Sequence, residues 1–179
     1  MQTLRLWRAR TAMPLLAALV MAPLHAAAVS AADPPARPAV RPLSAEELAR
    51  AYVVAWNEHD AEKAASFFDE RVAYYDASTP ERQVGRAAAK KNVVEAFMKM
   101  APDCVWTITS APISGRGGVT FEWEFSGTNS GDMADGTKAT GKKFSFKGAT
   151  VLRIRNYKIL YQADYYDAYT FLKQLGLAK

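Results

Sequence analysis

The sequence predicts one α+β domain in which helices cover one face of a strongly bent, mostly antiparallel sheet. After residue 44 the chain holds segments with apolar residues at helical spacing, and beyond residue 104 it holds long segments of strand-like composition. Helices followed by antiparallel strands are typical of an α+β plan, because each helix must bury its apolar stripe on a sheet face. The predicted strands are residues 72–76, 105–113, 119–127, 143–155 and 158–167.

Three predicted helices precede most of this sheet. Ser44 is a favoured N-cap residue, and Glu47 three positions later completes a capping box. The first helix ends at residues 57–60, and the third covers residues 86–100. The apolar positions are Leu48, Ala51, Tyr52, Ala55 and Trp56 in the first helix, Ala64, Ala65, Phe67 and Phe68 in the second, and Val93, Val94, Phe97 and Met98 in the third. A last helix, residues 168–175, ends before Gly176.

The strand predicted for residues 119–127 has a clear two-residue period. The apolar residues Val119, Phe121, Trp123 and Phe125 alternate with the polar residues Thr120, Glu122, Glu124 and Ser126. Successive side chains of a strand point to opposite sheet faces, so one face of this strand is apolar and the other is polar. The Gly-, Asp- and Thr-rich stretch 127–141 predicts a hairpin connection to the next strand.

The N-terminal residues predict export. Three arginines precede an apolar run over residues 12–24, and small residues that fit a cleavage site follow, with cutting expected between Ala28 and Ala32. The run is too short to span a bilayer, so we expect a cleaved signal peptide, a periplasmic or secreted product and no stable membrane insertion. The predicted organisation is a signal peptide at residues 1–32, a Pro-rich linker at residues 33–43 and one domain at residues 44–179.

Composition excludes several classes of function. The formal charge of +5 falls to +2 once the three N-terminal arginines leave, and no basic stripe with interleaved aromatics is present, so we expect no nucleic-acid partner. Cys104 is the only cysteine and lies in an apolar run, which favours an inert buried thiol. His25 leaves with the predicted signal peptide and His59 lies in a turn, so no histidine is available for a pocket. Asp132, Asp135 and Gly136 lack the spacing of a calcium loop, and we expect no metal site.

The order of elements and several motifs are similar to the SnoaL-like branch of the nuclear transport factor 2 superfamily, which includes SnoaL-like polyketide cyclases and ketosteroid isomerases. The motifs are Tyr52-Val53-Val54-Ala55-Trp56-Asn57-Glu58-His59-Asp60, Val84-Gly85-Arg86, Phe125-Ser126-Gly127-Thr128 and Ala163-Asp164-Tyr165-Tyr166-Asp167. This resemblance covers nearly all of residues 44–177. It implies a cone-shaped fold around one pocket, whereas the superfamily holds many different functions.

The ketosteroid isomerases imply one set of site residues. In those enzymes a helix-one tyrosine and a protonated aspartate form an oxyanion hole, and a second aspartate moves the proton. By motif, the tyrosine corresponds to Tyr52 and the proton-moving aspartate to Asp76, while Thr150 stands where the oxyanion aspartate would be. A threonine hydroxyl can donate a hydrogen bond but cannot match the acidity of a buried carboxylic acid.

The SnoaL-like cyclases imply a second acid or base. Their late-strand aspartate corresponds to Asp164, and Gln162 replaces the histidine of their His-x-Asp pattern. The resemblance places Leu160, Gln162, Asp164 and Tyr166 on the pocket face of the last strand. The implied pocket walls are Trp56, Phe97, Trp106, Trp123, Thr150, Gln162 and Tyr166. A carboxylate among these aromatic residues would have a raised pKa, which suits a base near neutrality.

Each implied catalytic residue also has a structural interpretation. Tyr52 can be a core residue of helix one, and Asp76 can begin the turn at residues 77–80. Asp164 lies in an apolar strand, so it is either functional or paired with a partner such as Arg153 or Tyr52.

Three hypotheses for function follow. The first is a pocket that binds a small, largely apolar, carbonyl-bearing or aromatic ligand. The second is a cyclase or isomerase without cofactors, with Asp164 or Asp76 as general acid or base and Tyr52 as hydrogen-bond donor. The third is a non-catalytic dimerisation module. The resemblance, together with the aromatic residues in the strands, also predicts a homodimer through the exposed sheet face.

Overall fold

The computed structural model describes residues 41–77, 79 and 81–179. The predicted signal peptide and most of the predicted linker lie outside these residues, so cleavage and export stay predictions. Within the described part of the chain, no helix combines the length and the apolar character needed to cross a membrane.

The helices follow the predicted pattern with one internal irregularity. They are α1 (Ala45–Asn57), α2 (Ala61–Ser66), α3 (Arg86–Ala89), α4 (Glu95–Met100) and α5 (Ala168–Leu175). The predicted capping box is confirmed, because the Glu47 N–H donates to Ser44 Oγ at 3.2 Å and the Ser44 N–H donates to Glu47 Oε2 at 2.8 Å. A π-helical turn (Lys90–Val94) joins α3 to α4, so the helix predicted for residues 86–100 is continuous but not uniform.

In residues 41–179, as far as the structure describes them, seven strands form one curled, unclosed mixed sheet. They are β1 (Phe68–Asp76), β2 (Gln83–Val84), β3 (Val105–Ile108), β4 (Ile113–Gly115), β5 (Gly118–Thr128), β6 (Lys143–Arg155) and β7 (Lys158–Tyr166). Their order is β2-β1-β7-β6-β5-β3, and β4 pairs with β5. Strands β1 and β7 are parallel, while every other pair is antiparallel, so the predicted α+β class with a mostly antiparallel sheet is confirmed.

The alternation predicted for β5 is confirmed, and the apolar face of this strand forms the floor of the core. Val119, Phe121, Trp123 and Phe125 are buried, and the residues between them are exposed or half-buried. Phe144 and Phe146 of β6 pack beside Phe125, with ring centroids 6.1 and 5.8 Å away. The concave sheet face is therefore lined by aromatic rings.

Two predicted element boundaries are wrong. The strand predicted for residues 105–113 is divided into β3 and β4, because Ser110 Oγ accepts the Glu122 N–H at 3.0 Å and Pro112 has no N–H to donate. Phe68, predicted on the face of the second helix, instead begins β1. It is the strand partner of Ile159, a contact between distant parts of the chain.

The prediction that Leu160 lies on the pocket face of the last strand is also wrong. The pairing of β6 with β7 shifts between Arg153 and Ile154, and this irregularity leaves Leu160 without a strand partner. Ile159 is consequently the buried residue at this point and Leu160 is half-buried. Beyond the shift Gln162 and Asp164 share one face, where the Gln162 amide donates to Asp164, and Tyr165 is exposed, although Ala163 between them is also buried.

Candidate active site

A narrow cavity opens between the helices and the concave sheet face. Its volume is about 30 Å³. The residues that line it are Trp56, Tyr74, Asp76, Phe97, Trp106, Trp123, Phe125, Phe146, Asp164 and Tyr166. Seven of these were predicted as site residues, and all ten are aromatic or acidic. Such a wall favours small, largely apolar ligands.

Two carboxyl groups lie side by side in this cavity. Asp76 of β1 and Asp164 of β7 are direct partners in the parallel strand pair. Both are buried, with exposed fractions of 3% and 5%. The curled sheet therefore places two acids, 88 positions apart in sequence, at the same level of one wall.

Three neutral groups donate hydrogen bonds to Asp164. The Thr150 hydroxyl donates to Oδ1 at 2.6 Å, and the Tyr74 hydroxyl and the Gln162 amide donate to Oδ2 at 2.6 and 2.9 Å. The suggested pairing with Arg153 is wrong, because that guanidinium lies over the ring of Tyr161, 5.7 Å from its centroid. Among the residues that the structure describes, the buried carboxyl is thus held by dipoles and not by a positive charge.

These surroundings raise the pKa of Asp164 to about 7. Burial contributes most, because it disfavours the charged form, and the negative charge of Asp76 adds to it. The hydrogen bonds from Thr150, Tyr74 and Gln162 lower the pKa and offset part of this effect. Asp164 can therefore exist in both protonation states near neutral pH.

Further hydrogen bonds hold this acidic pair in place. The Trp123 indole N–H donates to Thr150 Oγ1 at 2.7 Å, so Thr150 accepts from Trp123 and donates to Asp164. The Tyr166 hydroxyl donates to Asp76 Oδ1 at 2.9 Å. The main-chain oxygen of Asp76 accepts from Thr79, as expected of a residue that begins a turn, while its carboxyl lines the cavity.

Comparison with protein families agrees with this architecture. The model of the SnoaL-like polyketide cyclases matches residues 46–175, which is well over half of the chain. The chain belongs to the SnoaL-like polyketide cyclase family.

Solved structures with the same fold come from several bacteria. A ketosteroid isomerase-like protein of Catenulispora acidiphila, solved with trimethylamine, is 24% identical with a TM-score of 0.63; 75% of this chain and 95% of that chain are covered. IdmH of Streptomyces antibioticus, described as a candidate polyketide cyclase, is 20% identical with a TM-score of 0.62, and the coverage is 75% and 99%. An NTF2-like protein of Burkholderia thailandensis is 16% identical with a TM-score of 0.62, and the coverage is 74% and 98%.

At these identities the likeness extends to the fold alone. Among curated protein sequences, none matches this chain. The chemistry of this SnoaL-like domain must therefore be inferred from its own cavity.

Three predicted site residues of the SnoaL-like domain lie behind the cavity wall. Thr150 and Gln162 are fully buried and act on Asp164 through the hydrogen bonds given above. Tyr52 is fully buried as well, and its ring packs against Trp106 with centroids 5.7 Å apart. Its hydroxyl has no hydrogen-bond partner, and burial, followed by the charge of Asp164, raises its pKa.

Sequence reasoning missed three residues that line the cavity. Tyr74 lies two positions before Asp76 on the same strand, so strand alternation could have placed it on the pocket face. Phe125 lies on the apolar face predicted for its strand, but the sequence did not place it in the pocket. Phe146 gave no signal of its own, because its place depends on the pairing of β6 with β5.

The other reactive groups lie outside the cavity. Burial, followed by the charge of Asp103, raises the pKa of the Cys104 thiol to about 11, which leaves it protonated and weakly reactive. His59 Nε2 lies 2.8 Å from the main-chain oxygen of Cys104. Among the described residues, no group of three or more His, Cys, Asp or Glu side chains could hold a metal ion.

We expect the removal of a hydroxyl to have opposite effects on stability at the two tyrosines beside Asp164. Tyr52→Phe should raise the free energy of unfolding, because it removes a buried polar atom that has no partner. Tyr74→Phe should lower it by about 1–3 kcal/mol, because it removes a donor to a buried carboxyl. Urea denaturation of both variants at one pH measures the difference. Equal losses in the free energy of unfolding of the two variants would mean that the Tyr52 hydroxyl has a hydrogen-bond partner in solution.

Proposed function

We propose that the cavity binds a small, largely apolar molecule with a carbonyl group, and that Asp164 moves a proton at the carbon beside that carbonyl. The observation that carries this proposal is the Asp164 carboxyl, which lines an aromatic cavity with a pKa of about 7 and only neutral donors around it. A base whose pKa lies near the working pH combines a sufficient ionised fraction with a useful proton affinity.

The geometry of the carboxyl leaves room for a substrate proton. Oδ1 accepts one hydrogen bond, from Thr150, and a carboxylate oxygen has two lone pairs. The free lone pair can take a proton from the substrate carbon while the C–H electrons form the enolate. In a substrate whose enolate is conjugated with a carbon–carbon double bond, the protonated carboxyl then returns the proton to the far carbon of that dienolate and the double bond shifts, which is an isomerisation. Alternatively, the enolate carbon attacks a second carbonyl and the new alkoxide takes the proton, which closes a ring.

Asp164 is assigned as the base and Asp76 as its electrostatic partner. The negative charge of Asp76 is the second cause of the raised pKa of Asp164. Tyr166 donates a hydrogen bond to Asp76, which holds that charge in the cavity wall. This arrangement resembles other acid pairs in which one carboxyl makes the other a stronger base.

Hydrogen–deuterium exchange provides a test that needs no knowledge of the natural substrate. Cyclopentanone and acetophenone are incubated with the protein in heavy water, and deuterium at the carbons beside the carbonyl is measured by mass spectrometry. We expect exchange above the buffer blank. Asp135→Asn is the matched control, because Asp135 is exposed in the loop between β5 and β6, and it should exchange at the wild-type rate.

Binding without exchange would instead support the hypothesis of a binding pocket without catalysis. Failure of both ketones to bind or exchange would contradict the proposal.

The convex sheet face supports a further proposal, that the domain forms a homodimer. Tyr165 is 53% exposed there and its ring packs against Tyr75 with centroids 5.5 Å apart, while Val151 is 38% exposed. Exposed aromatic and apolar groups on one face are typical of interfaces. Sedimentation at micromolar concentration should give a dimer, and Tyr165→Asp should give a monomer. A wild-type monomer at that concentration would contradict this proposal.

We also propose that the mature protein acts in the periplasm or outside the cell, as the N-terminal arginines and apolar run indicate. The intact mass of material from the periplasm should correspond to a first residue between Val29 and Asp33. A full-length cytosolic protein would contradict it.

A further inference from the structure

Four buried polar atoms in the described part of the chain have no hydrogen-bond partner. They are Tyr52 Oη, Trp56 Nε1, Trp106 Nε1 and Gln162 Oε1. All four residues belong to the core around the cavity, and each is at least 96% buried. A buried donor or acceptor without a partner costs about 1–3 kcal/mol, so four of them in one region favour the binding of a polar group that the described residues do not supply.

Two of the four residues, Trp56 and Trp106, line the cavity, whereas Tyr52 and Gln162 lie behind its wall. The side chain of Trp56 lies close enough to the Tyr52 hydroxyl to lower its pKa, against the larger effects of burial and of the charge of Asp164. The indole N–H of Trp106 can only donate, so the partner that it lacks is an acceptor.

Trp106 is held rigidly where it lines the cavity. The side chain of Asn57, the last residue of α1, bonds both main-chain groups of Trp106: its amide donates to the Trp106 oxygen at 2.8 Å, and its oxygen accepts the Trp106 N–H at 2.7 Å. The indole ring packs edge-on against Trp56 and Trp123, with centroids 5.5 and 5.9 Å away. A donor fixed in this way loses little freedom when a ligand binds.

The position of Trp106 also relates it to the acids. Trp106 lies on β3, at the far end of the sheet order from Asp76 on β1, yet the curl of the sheet makes both line one cavity. The cavity is thus lined on one side by Trp106, whose buried indole N–H lacks an acceptor among the described residues, and on another side by two carboxyls. The charge of those carboxyls disfavours an anionic ligand, so the expected acceptor is a neutral oxygen.

We propose that the indole N–H of Trp106 donates a hydrogen bond to the carbonyl oxygen of a neutral ligand, and so turns the carbon beside that carbonyl toward the acidic wall. This inference rests on the proposed function, because it requires that the cavity binds a carbonyl compound. It adds the residue that recognises the oxygen, and it restricts the ligand class to neutral ketones, aldehydes and esters.

Nuclear magnetic resonance of the full chain labelled with nitrogen-15 tests this without any activity. The probes are cyclopentanone and methylenecyclopentane, which have the same shape and differ in a carbonyl oxygen or a CH₂ group. We expect the indole proton of Trp106 to move downfield with cyclopentanone and not with methylenecyclopentane. Trp123 is the internal control, because its indole N–H already donates to Thr150 and should respond alike to both probes.

Affinity gives a second measurement. Wild-type protein should bind cyclopentanone about 3- to 10-fold more tightly than methylenecyclopentane, the range expected for one hydrogen bond that satisfies a buried donor. Trp106→Phe keeps an aromatic ring and removes the N–H, so this preference should fall to about one. If Trp106→Phe does not fold, the wild-type spectra still decide the matter.

The results that would contradict the inference about Trp106 differ from those that would contradict the proposed catalysis. Equal shifts of Trp106 with both probes, or a water molecule at its N–H that cyclopentanone does not displace, would overturn the inference about Trp106. Asp164→Asn should keep the ketone-specific shift and lose only the deuterium exchange. A ketone-specific shift of the Trp106 indole proton with no deuterium exchange in the wild-type protein would contradict the catalytic proposal and still support recognition of the carbonyl by Trp106.

Discussion

Asp164→Asn should make the protein more stable than the wild type at pH 8, and this advantage should shrink as the pH falls toward 4. The folded-state pKa of Asp164 is about 7, whereas its ordinary value is 3.8. Between these values the unfolded chain has an ionised carboxylate while the folded chain holds the proton. Folding therefore takes up a proton, and the stability that this group contributes falls as the pH rises.

The size of the effect follows from the same linkage. The slope is at most about 1.4 kcal/mol per pH unit, and it is confined to the interval from roughly pH 4 to pH 7. Below that interval the group is protonated in both states, and above it the group is ionised in both states. Asparagine keeps the volume and stays neutral, so the variant lacks this dependence.

Urea denaturation of both proteins across this pH interval measures the difference. Asp135→Asn is the control, since its carboxylate is exposed and its pKa is lowered by hydrogen bonds to Thr137. The free energy of unfolding of that variant should not rise relative to that of the wild type as the pH rises. A constant difference between Asp164→Asn and the wild type would show that the Asp164 carboxyl is ionised in the folded protein throughout this interval.

The second large effect expected is on catalysis. Asp164→Asn should lower the rate of deuterium exchange into a bound ketone by about 10²- to 10⁴-fold, the usual loss when a positioned acid or base is removed. An amide cannot accept the substrate proton, although it can keep most of the hydrogen bonds that Asp164 makes. The fold and ketone binding should therefore remain.

The wild-type pH profile provides an independent check on this assignment. The base acts when ionised, so the exchange rate, corrected for the buffer blank, should rise with pH and level off above about pH 7. Asp76→Asn should move that inflection to lower pH, because it removes the negative charge that raises the pKa of Asp164. An inflection near pH 4 in the wild type, or full activity in Asp164→Asn, would exclude Asp164 as the base.

The two departures from the family motifs have a common explanation in the structure. Thr150 replaces an acid of the isomerase pattern and Gln162 replaces a histidine of the cyclase pattern, and both donate hydrogen bonds to Asp164. Judged from the sequence, these replacements weakened the case for catalysis. In the folded protein they orient one carboxyl without supplying a positive charge, which leaves its pKa high.

Local patterns in the sequence were enough to predict the α+β class, the capped first helix and the buried face of β5. Each of these depends on residues within one turn of helix or along one strand, so spacing alone carries the information. Strand alternation also put Gln162 and Asp164 on one face of the last strand, and the resemblance to the family identified that face as the pocket side. The alternation failed at Leu160, because an irregularity in strand pairing has no marker in composition.

What the tertiary structure decided is the pairing of distant strands. The parallel contact of β1 with β7 places Asp76 beside Asp164 and brings Tyr74 within 2.6 Å of the same carboxyl. The raised pKa of Asp164 results from burial and from this pairing with Asp76, and the curl of the sheet places Trp106 on the same cavity. Desolvation and charge proximity are properties of the folded volume, and sequence spacing does not encode them.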